Sequence, residues 1–139
     1  MPERSGNATW EGDLQNGSGE MELGSGAFKG AFSFASRFEN GDGTNPEELI
    51  AGAHAGCFSM ALSNALDEAG YTPERVSTEA TVNLNTDKLE IDEIHLQSEA
   101  EVPDVEEETF QEIANEAKNG CPVSKVLAGA DISLDIDLL

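Results

Sequence analysis

The chain has 139 residues, with 28 Asp or Glu against 7 Lys or Arg and a formal charge of −21, and its length favours one domain over residues 1–139. So acidic a chain argues against nucleic-acid binding, which needs clustered bases on phosphates, and against docking on an anionic membrane. Hydrophobic residues, at 38%, are grouped with clear periodicity and argue against a disordered chain.

Residues 7–34 read as a β-meander. Ala8, Trp10 and Leu14 fall on even positions, Met21 and Leu23 keep a period of two, and Gly12, Gly17 and Gly19 mark turns or bulges. Phe28, Phe32 and Phe34 read as core residues. After the loop Gly41-Asp42-Gly43-Thr44 comes a helix start, with Asn45 at N-cap, Pro46 at N1 and Glu48 at N3. The helix runs from Leu49 to Ala69 and stops at Gly70 and Pro73. Its Ala51, Gly52, Ala53, Ala55 and Gly56 cost helix propensity unless a second helix or a partner subunit packs closely there.

Arg75 to Asn85 alternates, Ile94 to Val102 repeats the pattern, and the two are expected to pair as a hairpin through residues 85–90. Glu106 to Lys118 is a helix with a stripe of Phe110, Ile113, Ala114 and Ala117, capped by Gly120. A short helix enters at Pro122, and Ile132, Leu134, Ile136 and Leu138 form one face of a last strand. The order argues for an α+β fold with largely antiparallel pairing. No run approaches about 18 consecutive apolar residues, and the start lacks a basic region followed by an apolar one. A soluble cytoplasmic protein is expected. Acids spread from Glu3 to Asp137 suggest a whole surface adapted to high salt.

Two cysteines are too few for a disulfide scaffold and match no paired zinc spacing. Cys57 lies far from the N-terminus of its helix, so the helix dipole cannot lower its pKa, and a cation must. His54 and Arg37 are the candidates. Cys121, between Gly120 and Pro122, sits where the backbone turns sharply and could approach a thiol on the central helix. Two such thiols support a sulfenic acid and disulfide cycle; they are equally readable as two buried small hydrophobes. His54 reads as a satisfied helix histidine and His95 as a surface residue. A zinc site from the two histidines and two cysteines lacks the usual ligand spacing.

The strings Ser36-Arg37-Phe38-Glu39, Gly43-Thr44-Asn45-Pro46-Glu47-Glu48-Leu49-Ile50 and Ala53-His54-Ala55-Gly56-Cys57-Phe58-Ser59-Met60-Ala61-Leu62 closely resemble the osmotically inducible protein C (OsmC) branch of the organic hydroperoxide resistance superfamily. Glu68-Ala69-Gly70-Tyr71-Thr72-Pro73 and Gly120-Cys121-Pro122-Val123-Ser124-Lys125-Val126-Leu127 agree, and the resemblance runs from about Trp10 to the final strand. Gly56, where alanine is expected, and the acidic surface are departures.

The resemblance implies an OsmC-like fold of antiparallel sheets around two main helices, in an intertwined homodimer with two sites at the subunit interface. It implies a thiol peroxidase of stress defence that reduces organic hydroperoxides, and hydrogen peroxide more weakly, with no metal, haem, flavin or other cofactor. In that reading Cys57 is the peroxidatic cysteine, Cys121 the resolving cysteine, Arg37 the thiolate-stabilising arginine and Glu47 the carboxylate that holds it. A lipoylated protein or a small dithiol would serve as the thiol reductant. Glu47 is ten residues from Cys57, or about 15 Å of helical rise, so their direct contact would need a helix break or the other chain. Alternative readings are a non-enzymatic dimer of this fold that binds an apolar ligand with inert cysteines, and a redox sensor.

Overall fold

Trp10 and Phe32 organise the first sheet of the computed structural model, which describes residues 1–139. Their ring centroids lie 5.3 Å apart. They meet over Gly19, where a Cβ would come within 2.6 Å of Phe32 and 2.7 Å of Trp10, so glycine is what lets both rings pack there. The strands are β1 (Gly6–Glu11), β2 (Ser18–Leu23) and β3 (Lys29–Phe32), an antiparallel meander in that order. They belong to the first of two units into which the chain divides, Met1–Leu49 and Ile50–Leu139.

The meander ends at Phe32, before the expected position 34, because Ser33 starts a helix, α1 (Phe34–Phe38). The Ser33 hydroxyl accepts from Ser36 N–H at 3.1 Å and the Ser36 hydroxyl accepts from Ser33 N–H at 2.8 Å. This reciprocal cap outweighs the alternation of Phe32 and Phe34. The phenylalanines are also not core. Phe28 is exposed, Phe32 and Phe34 are half-buried, and the buried residues of this unit are Ser36, Thr44 and Glu47, all polar. A three-stranded sheet with one short helix has too little apolar surface to enclose its own aromatic rings. Ser33→Ala removes the cap and is expected to cost about 1 kcal/mol, read as a lower urea midpoint at unchanged slope. An unchanged midpoint would show that α1 does not depend on it.

Helix α2 (Pro46–Glu68) starts as expected, with Asn45 Oδ1 accepting Glu48 N–H at 2.7 Å. By length and composition it could cross a membrane. Phe58, Leu62 and Leu66, spaced four apart on one stripe, are instead fully buried in the core of the second unit. The small residues face otherwise: a Cβ added at Gly52 or Gly56 meets nothing within 4 Å from outside the helix, and Met60 is 76% exposed. The packing that those small residues call for is absent from the single chain.

The second sheet has the order β4 (Arg75–Asn85), β5 (Glu90–Glu101) and β6 (Asp131–Leu138), with α3 (Glu107–Gly120) and α4 (Pro122–Val126) between the last two. β4 and β5 form the expected hairpin, with a bulge between Asn83 and Leu84. β5 and β6 pair in parallel, Leu96 opposite Leu134, and so depart from the antiparallel expectation. The two helices carry the chain back across the sheet, so β6 enters at the end where β5 entered. Leu96 and Ala100 of β5 close the core against Phe110, Ala114 and Ala117 of α3. On the same face, Ser59, Thr78 and Ser98 satisfy one another in a hydroxyl chain of 2.8 and 2.9 Å.

Gly120 is not the left-handed cap expected of it. It is the last helical residue of α3, and the helix stops because Cys121 precedes Pro122. The proline ring excludes the helical conformation from the residue before it, and Cys121 sits at φ −61°, ψ 124°.

Candidate active site

The four candidate residues form two separate pairs, Arg37 with Glu47 in the first unit and Cys57 with Cys121 in the second. Arg37 and Glu47 meet because the loop between them is folded back tightly. The Ser36 hydroxyl donates to Thr44 C=O at 2.7 Å and Asn45 Nδ2 donates to Ser36 C=O at 3.0 Å. Gly43 turns this loop at φ +117°, where a Cβ would press to 2.6 Å on the Ala31 carbonyl. Arg37 projects from α1 and Glu47 from the first turn of α2, and they join in a bidentate pair, Nε to Oε1 and Nη2 to Oε2, both 3.0 Å.

Glu47 is only 7% exposed. A buried carboxylate held by a planar fork fixes the guanidinium in orientation as well as position. The hydrogens of Nη1 remain available to another acceptor. Beside the pair, Trp10, Leu14, Phe32, Phe34 and Phe38 line a cavity of about 210 Å³ that includes Arg37. The guanidinium carbon lies 5.5 Å from the Phe38 ring centroid. A cation at the mouth of an apolar pocket suits a ligand with an anionic or polar end and a hydrocarbon body.

Cys57, on α2, and Cys121, between α3 and α4, form the second pair. Both are free thiols, Cys57 half-buried and Cys121 fully buried, with sulfurs 2.6 Å apart. At that separation a disulfide needs little backbone movement. Burial pushes the Cys57 thiol up, the hydrogen bond with Cys121 pushes it further, and only Val123 N–H pulls the other way. Burial opposes ionisation of Cys121 too. There hydrogen bonding with Cys57, with the Ser124 backbone and hydroxyl and with the Val123 backbone outweighs it and draws the thiol below its ordinary value.

His54, three residues before Cys57, is completely buried. Its Nε2 lies 2.7 Å from Ser124 Oγ, and its Nδ1 has no partner. It is therefore half satisfied, where the sequence suggests a satisfied helix histidine. His95 bonds Ser133 through Nδ1 at 2.7 Å and Asp135 through Nε2 at 3.3 Å, on the polar face of the sheet. The histidines and cysteines do not gather into a metal-binding group.

Burial holds the His54 pKa below its usual 6.5. Between the folded and unfolded values the unfolded chain binds more protons, so the contribution of His54 to stability is present above about pH 6.5 and is lost as pH falls through that window. His54→Gln is expected to flatten the fall in melting temperature below pH 6.5 relative to the unsubstituted chain. Parallel curves would contradict a buried neutral imidazole.

Residues 39–137 match the family of OsmC-like proteins. The chain is 49% identical to peroxiredoxin OsmC of Escherichia coli K12, over 97% of this chain and 96% of that protein. The chain belongs to the OsmC-like family. It is also 32% identical to the organic hydroperoxide resistance protein OhrB of Bacillus subtilis, over 70% of this chain and 73% of that one. The crystal structure of an OsmC-like protein from Mycoplasma pneumoniae aligns over 99% of this chain and 98% of its own with a TM-score of 0.75 at 17% identity. The α+β OsmC-like fold expected from the sequence is thus the observed one.

Two parts of the site escape the sequence reading. The aromatic cavity at Arg37 is hidden because the phenylalanines alternate like strand residues. Ser124 stands three residues after Cys121, the spacing that puts it on the same face of a helical turn, and this is the one signal that could have found it.

Proposed function

We propose that the chain is a two-cysteine peroxidase for organic hydroperoxides, and the observation that carries this is the 2.6 Å approach of the Cys57 and Cys121 sulfurs. The 49% identity to a peroxiredoxin supports it. Cys57 thiolate attacks the terminal peroxide oxygen. The S–O bond forms, the O–O bond breaks, and the leaving alkoxide takes a proton from water to become the alcohol. Cys57 is left as a sulfenic acid. Cys121 attacks its sulfur, the disulfide forms and water departs, and a dithiol reductant restores both thiols. Small dithiols and lipoylated proteins have the required chemistry.

Cys57 needs a cation, since burial and Cys121 both oppose its ionisation. Arg37, aimed by Glu47, is that cation in the working site and also meets the negative charge that develops on the peroxide oxygen. The aromatic cavity beside Arg37 takes the organic group of the substrate. The working form is a homodimer. In its support, the first unit buries no apolar side chain and the small-residue face of α2 stands open, surfaces that a second copy would cover. The acidic chain acts in the cytoplasm and its two units serve as one functional domain.

Cys121→Ser tests the cycle. It is expected to reduce about one equivalent of hydroperoxide and then to accumulate sulfinic acid at Cys57, seen by mass spectrometry. Sustained turnover by that variant would contradict a resolving role.

A further inference from the structure

His54 and Ser124 take no part in the chemistry above, yet they occupy its geometry. His54 and Cys57 are three apart on α2, and Cys121 and Ser124 are three apart at the start of α4. Residues so spaced share a helix face. The two segments therefore meet through two parallel contacts, the sulfurs of Cys57 and Cys121 at 2.6 Å and His54 Nε2 with Ser124 Oγ at 2.7 Å. His54 is fully buried and its Nδ1 is unpartnered. A leucine would fill that position without leaving a polar atom stranded, so the imidazole needs a reason to be there.

We propose that His54 and Ser124 are positioning residues for disulfide closure: their hydrogen bond is the permanent rung of a two-rung ladder between α2 and α4, and it keeps Cys121 within bonding reach of Cys57 while the sulfur rung is broken. This rests on the two-cysteine reading. Oxidation of Cys57 inserts a hydroxyl beside its sulfur and disturbs the thiol contact, and the His54–Ser124 rung is then what keeps α4 in register. In closure the Cys121 sulfur attacks the Cys57 sulfur. The S–S bond forms, the S–O bond breaks, and the hydroxyl leaves as water with the proton that Cys121 gave up. A registered nucleophile closes fast and leaves little time for a second peroxide to over-oxidise Cys57.

The test uses the reduced protein and an aromatic disulfide, Ellman's reagent, with no peroxide present. Half-exposed Cys57 forms the mixed disulfide and releases one equivalent of coloured thiolate. Buried Cys121 then displaces the second equivalent as the intrachain disulfide closes. Because no peroxide enters, closure is read whether or not the chain reduces hydroperoxides, and the peroxidase reading stands or falls separately on hydroperoxide consumption. His54→Leu and Ser124→Ala are expected to slow the second phase about tenfold or more while leaving the first unchanged. Ser124→Thr, which keeps the hydroxyl, restores it, and the double variant is no slower than the slower single. The proposal is overturned by second phases at the unsubstituted rate, by both phases slowing alike, by failure of Ser124→Thr to rescue, or by single effects that multiply in the double variant.

Discussion

Cys57→Ser is expected to abolish hydroperoxide turnover, a loss on the order of 10³-fold or more when a covalent nucleophile is removed. A serine hydroxyl in this position cannot ionise near neutral pH, since even the Cys57 thiol is held up by burial. The fold should survive, because Cys57 is half-buried and its side-chain hydrogen bond is the one with Cys121. Unchanged thermal unfolding beside lost peroxide consumption, measured as residual hydroperoxide over time, is the expected outcome. Retained turnover would remove Cys57 from the chemistry.

Arg37→Ala is expected to lower the rate of Cys57 oxidation by about 10²–10³-fold, roughly 3–4 kcal/mol of transition-state stabilisation. It also moves the pH at which Cys57 reacts with an alkylating reagent upward, because the opposing cation is gone. Arg37→Lys keeps the charge but loses the two-point bond to Glu47, so it recovers only part of the rate. Paired pH profiles of alkylation and of hydroperoxide consumption check this. Profiles that coincide with those of the unsubstituted protein would contradict a thiolate-stabilising arginine.

What the residues announce is what neighbouring residues decide. Asn45-Pro46 fixes a helix start, the alternation of Val76 to Leu84 and of Ile94 to Ala100 fixes a hairpin, and Pro122 fixes the break between two helices, each through local sterics or capping. The parallel partnership of β5 with β6 is not local; it depends on where α3 and α4 deliver the chain. The same holds for the site. The cysteines and Arg37 are legible as chemistry, but the Arg37–Glu47 fork needs the fold of a loop held by Ser36, Thr44 and Asn45. His54 meets Ser124 across 70 residues, a contact that their three-residue spacings from Cys57 and Cys121 imply only once the two cysteines are known to meet. α1 is concealed for the opposite reason, since a strand-like alternation of phenylalanines overlies a two-serine cap.

The most direct measurement is a free-thiol count by mass spectrometry on the reduced protein, before and after a near-stoichiometric dose of an organic hydroperoxide. Rapid loss of both thiols to an intrachain Cys57–Cys121 disulfide is the expected result. Both thiols remaining free would contradict it.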